Sequence, residues 1–203
     1  MQMMNYASLK AALGSALAIL LSSCLLHCNS NNTGGNRSPL PLPNQIDAMQ
    51  YNLDARLDGR YVKEIRIEEG NWSSIGSQQD VVLKFLAAGM SQIKQFELDL
   101  ELDPATAFDL EASNFVPAEP FMTFGNGIEL LSSNKVKIGA ANFMGTTSGD
   151  AVLGTLNLRT ASLFNPRAEI RIRIVLFSMG PTSANRDAYT AEDLDMGVIA
   201  NKK

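Results

Sequence analysis

Apolar and polar residues alternate strictly through the middle of the chain: Ile65 and Ile67, then Val81, Leu83 and Phe85, then Phe96, Leu98, Leu100 and Leu102. Successive side chains of a strand point to opposite faces, so each run predicts a strand with one side buried. Further strand-like runs at Tyr51 to Leu57, Gly127 to Leu131, Lys135 to Phe143, Val152 to Thr160 and Ala168 to Phe177 are separated by Gly, Pro, Asn and Ser. Roughly eight to ten short strands with few helix-length periodic windows predict an all-β fold, a β-sandwich of jelly-roll type, over residues 47–203. Asp187 to Met196 is expected as a short helix or loop before a last strand at Gly197 to Ala200.

The pattern ahead of residue 47 is different. One basic residue, Lys10, precedes an uncharged and mostly apolar run from Ala11 to Leu21, which ends at Ser22-Ser23-Cys24. That is the layout of a secretory signal, and the run is shorter than the roughly 20 apolar residues that span a bilayer. Leu21-Ser22-Ser23-Cys24 resembles the bacterial lipobox, in which a large aliphatic residue and two small ones precede a cysteine. The resemblance implies that residues 1–23 are a cleaved lipoprotein signal peptide and that the Cys24 thiol carries a lipid. A competing box, Leu25-Leu26-His27-Cys28, places imidazole where a small residue is wanted. Leu25 after the modified cysteine implies transfer onward to an outer membrane, if the cell is double-membraned. Residues 24–46 then turn to Asn, Gly, Ser and Pro, a composition expected to form a tether and not a core.

Two segments carry a further resemblance. Phe96 to Pro104 followed by Phe108-Asp109-Leu110, and Ser148 to Leu158, are similar in order and spacing to the strand and turn signals of cohesin modules. The likeness runs over roughly residues 50–200 and implies a jelly-roll sandwich that binds a partner protein, with a dockerin-like module as one candidate.

Composition narrows the function. With 45% hydrophobic and 19% charged residues the chain has ordinary globular content, and its formal charge of -4 argues against a nucleic-acid partner. Cys24, Cys28 and His27 are the only cysteines and histidine. The domain therefore has no means to build a Ser-His-Asp triad, a Cys-His pair or a usual zinc site, so no enzyme activity, catalytic residue or cofactor is expected.

Candidate binding residues come from face assignments. Glu97, Asp99 and Glu101 share the side of their strand away from Leu98 and Leu100, with Asp103 at the end. Such a stripe could meet a basic partner or hold a cation, or be neutralised across the sheet by Arg171 and Arg173 or by Lys135 and Lys137. On the 170–177 strand, alternation puts Val175 and Phe177 on the side opposite Ile170, Ile172, Ile174 and Leu176, either covered by the C-terminal segment or exposed as a partner-binding patch. Asp187, Glu192, Asp193 and Asp195 could bind calcium, although their spacing is not that of an EF-hand loop, and the metal question stays open. Trp72 and Tyr61 could stack on a sugar ring. The expectation is a membrane-anchored, non-enzymatic module binding a protein through one sheet face, the alternatives being a carbohydrate-binding module or a structural lipoprotein without a ligand.

Overall fold

The computed structural model describes residues 52–68, 70 and 72–202. The expected signal peptide, Cys24 and the expected tether lie outside the described residues. The alternating runs all become strands: β1 (Asp54–Arg56), β2 (Glu64–Ile67), β3 (Asp80–Ile93), β4 (Gln95–Asp103), β5 (Phe108–Pro117), β6 (Ile128–Ser132), β7 (Lys135–Ala141), β8 (Thr147–Thr160), β9 (Ile170–Thr182) and β11 (Gly197–Ala200). Asp187 to Met196 divides between a strand, β10 (Asn185–Thr190), and a single helical turn, α1 (Ala191–Leu194).

The strands form two antiparallel sheets, ordered β1-β2-β3-β8-β5 and β10-β9-β4-β7-β6. β11 pairs with β9 along Ile170 to Arg173, and β10 takes the length of β9 beyond Leu176, so the two share one edge. The chain passes repeatedly between the sheets, most sharply at Lys94, the single residue between β3 and β4. The result is an all-β sandwich of jelly-roll type.

Alternation decides what fills the space between the sheets. Val81, Leu83 and Phe85 with Leu156 and Leu158 from one sheet meet Phe96, Leu98, Leu100, Val136, Ile138 and Ile174 from the other, all buried. Burying each such side chain contributes roughly 1.5–3 kcal/mol of hydrophobic free energy. Where alternation is interrupted, a bulge restores it. In β8, Gly154 pairs with Phe85 while Val152 pairs with Leu86, leaving Leu153 as the extra residue. Gly154 has φ of 157, and a Cβ there would stand 2.5 Å from Phe115 Cζ, so only glycine fits.

Asparagines near both ends of the described chain tie the flanks of β11 to the first half of the domain. Asn52 donates a side-chain hydrogen bond to the Leu194 carbonyl, and its own carbonyl accepts from Gly197 N–H. Past β11, the buried Asn201 amide accepts from Ile75 N–H at 2.7 Å and donates to Ile75 O at 2.8 Å, tying the last residues to the loop before β3.

Candidate functional site at one rim of the second sheet

The outer face of the β4 sheet carries the stripe that alternation assigned to it. Glu97, Asp99 and Glu101 are half-buried and alternate with the buried Phe96, Leu98, Leu100 and Leu102. Both flanking strands supply cations: Asp99 lies opposite Lys137 and Glu101 opposite Lys135 on β7, while Glu101 and Asp103 lie opposite Arg173 and Arg171 on β9. Glu97 accepts from Arg186 at 2.8 Å, and Glu101 accepts from Asn134 Nδ2 at 3.1 Å. Neutralisation across the sheet therefore accounts for most of the stripe. Asp99 is the exception. Burial pushes its pKa above the ordinary carboxylate range, Lys137 opposes this, and Glu97 and Glu129 add to it. Its Oδ1 is buried without a hydrogen-bond partner among the described residues.

Beyond Glu97 the character of the face changes. β7 contributes Gly139 opposite Glu97 and Ala141 opposite Gln95, so the sheet surface there has almost no side chains standing on it. Two loops rise beside this bare strip. The 118–127 loop is pinned by Phe121, buried edge-on against Phe96 at 5.1 Å, with Phe96 in turn edge-on to Phe115 at 6.2 Å. The next residue, Met122, exchanges two 2.9 Å backbone hydrogen bonds with Ala141. The 142–146 loop is ordered by Asn142, whose side-chain oxygen accepts from Met144 and Gly145 N–H at 3.0 and 3.1 Å. The two loops hold Phe124 and Phe143 with ring centroids 6.1 Å apart and planes tilted by 55°.

These residues enclose a groove of about 350 Å³ lined by Gln95, Glu97, Met122, Phe124, Glu129, Lys137, Gly139, Ala141 and Phe143, among others. Around it Phe124 is 84% exposed, Phe143 61%, Met122 57% and the neighbouring Met144 91%. Leu130 and Leu131 on the edge strand β6 are also exposed. Six of the nine large exposed hydrophobic side chains among the described residues thus fall within residues 122–144. Contiguous exposed apolar patches, unlike scattered single residues, call for an explanation.

The structure redistributes the other candidate residues. Phe177 is not on the outer face. Asp99 pairs with Leu176 and Leu100 with Ile174, which leaves Val175 as an extra residue in β9. That bulge reverses the alternation, so Phe177 and Met179 turn into the core and Leu176 takes the outer position. Phe177 stacks on Tyr189 at 6.3 Å, and the Tyr189 pKa is pushed up to about 12, first by burial and then by Asp187 and Asp58. Val175 remains half-buried. Trp72 and Tyr61, the candidate sugar-stacking rings, are both buried, and Trp72 Nε1 donates to the Val82 carbonyl. Two of the C-terminal acids serve the fold: Asp187 accepts from the distant Tyr61 and Val62 N–H, and Asp193 accepts from the Thr190 N–H and hydroxyl, which lowers its pKa. No group of three or more metal-ligating side chains occurs among the described residues.

No family model and no curated protein matches the chain. Solved structures similar to it include the sixth cohesin of Acetivibrio cellulolyticus scaffoldin B, crystallised with a Cel5 dockerin mutant, at 22% identity and a TM-score of 0.39 over 57% of this chain and 82% of that one. A cohesin of Clostridium thermocellum OlpA, crystallised with a dockerin, gives 11% identity and a TM-score of 0.40 over 60% and 89%. The cohesin module of a Clostridium perfringens family 33 glycoside hydrolase gives 14% identity and a TM-score of 0.39 over 67% and 93%. With identity this low and overlap this partial, the fold assignment rests on the sheet topology.

Proposed function

We propose that this chain is an exported, non-enzymatic protein-binding module, anchored to a bacterial membrane by a lipid on Cys24, and that its partner docks on the outer face of the β4 sheet at the groove beside Phe124 and Phe143. In a double-membraned cell that membrane is the outer one. The observation that carries the reading is the exposure of Phe124 and Phe143 on two loops that are themselves tightly hydrogen-bonded. A rigid apolar anchor loses little conformational entropy on docking and is the kind of feature that dominates binding energy at protein interfaces. Glu97 lines the groove, and Asp99, Glu101 and the half-buried, apolar Val175 lie farther along the same sheet.

The test is a pull-down from the native envelope with the wild-type chain and with Phe124→Ala/Phe143→Ala, in the presence and absence of calcium. A dockerin module, the partner held in two of the cohesin crystals above, belongs among the purified probes. The expected result is a protein retained by wild type and lost, by tenfold or more on the order of 1.4 kcal/mol, in the folded double variant. Equal recovery by both proteins would remove the groove from the reading.

A further inference from the structure

The apolar character of the groove has a counterpart in the chain ahead of β1. Pro39-Leu40-Pro41-Leu42-Pro43 is uncharged and apolar throughout, between a polar stretch ending at Ser38 and the polar pair Asn44-Gln45. A plain spacer has no use for leucine, which finds no partner in water. Proline-rich segments dock in aromatic-lined grooves, because the fixed φ of proline leaves them little conformational freedom to lose. Phe124, Phe143 and Met122 provide such a lining, and the floor carries no side chain at Gly139 and only a methyl at Ala141. Outside residues 122–144, the large exposed apolar residues among the described ones are Val82 on β3, Val116 on β5 and Leu163 in the loop after β8. The charged groups at the groove are matched within the fold, Glu97 with Arg186 and Glu129 opposite Lys137, so an uncharged occupant leaves them undisturbed.

Reach is the second condition. The Asn52 carbonyl accepts from Gly197 N–H, which fixes where the preceding chain leaves the domain. Gly197 lies level with Glu101, and the groove floor at Gly139 lies level with Glu97. The step from β11 across β9 and β4 to β7 is roughly 14 Å sideways and the offset along the strands roughly 13 Å, about 20 Å in all. Nine residue steps separate Pro43 from Asn52 (52 − 43), and they span up to roughly 30 Å.

We infer that Pro41-Leu42-Pro43 docks in the groove of its own chain, against Phe124, Phe143 and Met122, and that a partner protein binds by displacing it. This regulation of the groove rests on the protein-binding reading above. An attached segment meets its site at an effective concentration on the order of 1 mM, so one whose free form binds with a Kd of about 0.3 mM fills the groove about three quarters of the time. A partner then binds about fourfold more weakly than it would to an empty groove.

The test uses the full chain in detergent micelles, with methyl-labelled leucine and protonated phenylalanine in a deuterated background, read by nuclear Overhauser effects. Contacts are expected between the Leu42 methyls and the ring protons of Phe124 or Phe143. In Phe124→Ala/Phe143→Ala the Leu42 methyl shifts should move to those of the free peptide acetyl-Pro-Leu-Pro-amide. Pro41→Ser/Leu42→Ser/Pro43→Ser, which alters only residues ahead of β1, should shift the Met122 to Gly125 amides and raise the apparent affinity for the envelope partner about fourfold. Absence of the Leu42 contacts, wild-type Leu42 shifts equal to those of the free peptide, or partner affinity unchanged by the serine variant would each overturn the inference. Contacts found only between differently labelled copies would replace the chain's own segment by that of a second copy. The envelope pull-down keeps the two claims apart: a partner lost by the phenylalanine variant without Leu42 contacts leaves protein binding and removes the segment, whereas Leu42 contacts with no partner retained by wild type remove the protein-binding reading and leave the docked segment.

Discussion

Asp99 shows how much a single position can report. Its carboxylate faces outward by alternation, opposite Lys137, yet burial raises its pKa and one oxygen has no hydrogen-bond partner among the described residues. For an acid whose folded pKa is raised, the folded state holds the proton more tightly than the unfolded one, so the ionised group costs stability at neutral pH and that cost fades as pH falls through the folded pKa. Asp99→Asn should therefore raise the melting temperature at pH 7, with the advantage shrinking as pH is lowered toward the ordinary carboxylate range. Calorimetry from pH 7 down through the ordinary carboxylate range checks it. An unchanged difference across that interval would mean that the burial is not what perturbs the group. Residue identity alone could not have revealed this, because Glu97 and Glu101 read the same way in the sequence and are held by Arg186 and Asn134.

Elements were legible to the extent that they alternate. β4 and β7 follow strict alternation and appear almost where the pattern put them. β3 continues to Ile93 through Leu86-Ala87-Ala88-Gly89-Met90, where three irregularities in its pairing with β8 break the period, so its second half could not be read. β10 is a polar edge strand with no apolar repeat, recognisable only from its pairing with β9. The bulge at Val175 sent Phe177 to the opposite face from the one a regular strand would give it. The groove aromatics were missed for a related reason: Phe124 and Phe143 stand in loops among Gly, Asn and Thr, and periodicity says nothing about loop residues. Their positions depend on the 118–127 loop staying docked. Phe121→Ala removes a buried ring and should cost about 3–5 kcal/mol of stability. It should also release the loop, seen as faster amide hydrogen exchange at Met122 to Gly125 than at β7. Slow exchange there in the variant would show that the backbone bonds between Met122 and Ala141 suffice on their own.

At the scale of the whole molecule, the residues of reactive chemistry are separated along the chain from the groove proposed as a binding surface. Every cysteine and the histidine precede residue 29. If the Cys24 lipid provides the attachment, Cys24→Ser should move the protein from the membrane fraction to the aqueous one while leaving the fold and the groove unchanged. Membrane recovery of that variant with Cys28 intact would shift the anchor elsewhere. Charge and fold class were visible in the sequence at this scale. The groove was not, because it arises where two loops distant from β4 in sequence are brought beside it.

The tie between Asn52 and Gly197 has a mechanical meaning. Asn52 is tied to Gly197, which pairs with Arg173 and so lies level with Glu101, whereas the groove begins at Gln95 and Glu97. Along the strands, Asn52 and the near edge of the groove at Glu97 are therefore roughly 13 Å apart, given a rise of about 3.3 Å per residue, and the steps from β11 through β9 to β4 add about 10 Å sideways. A load applied between these two points, as by a partner held at the proposed groove, would have one component along the strands, which shears their hydrogen bonds together, and one across them, which peels them apart.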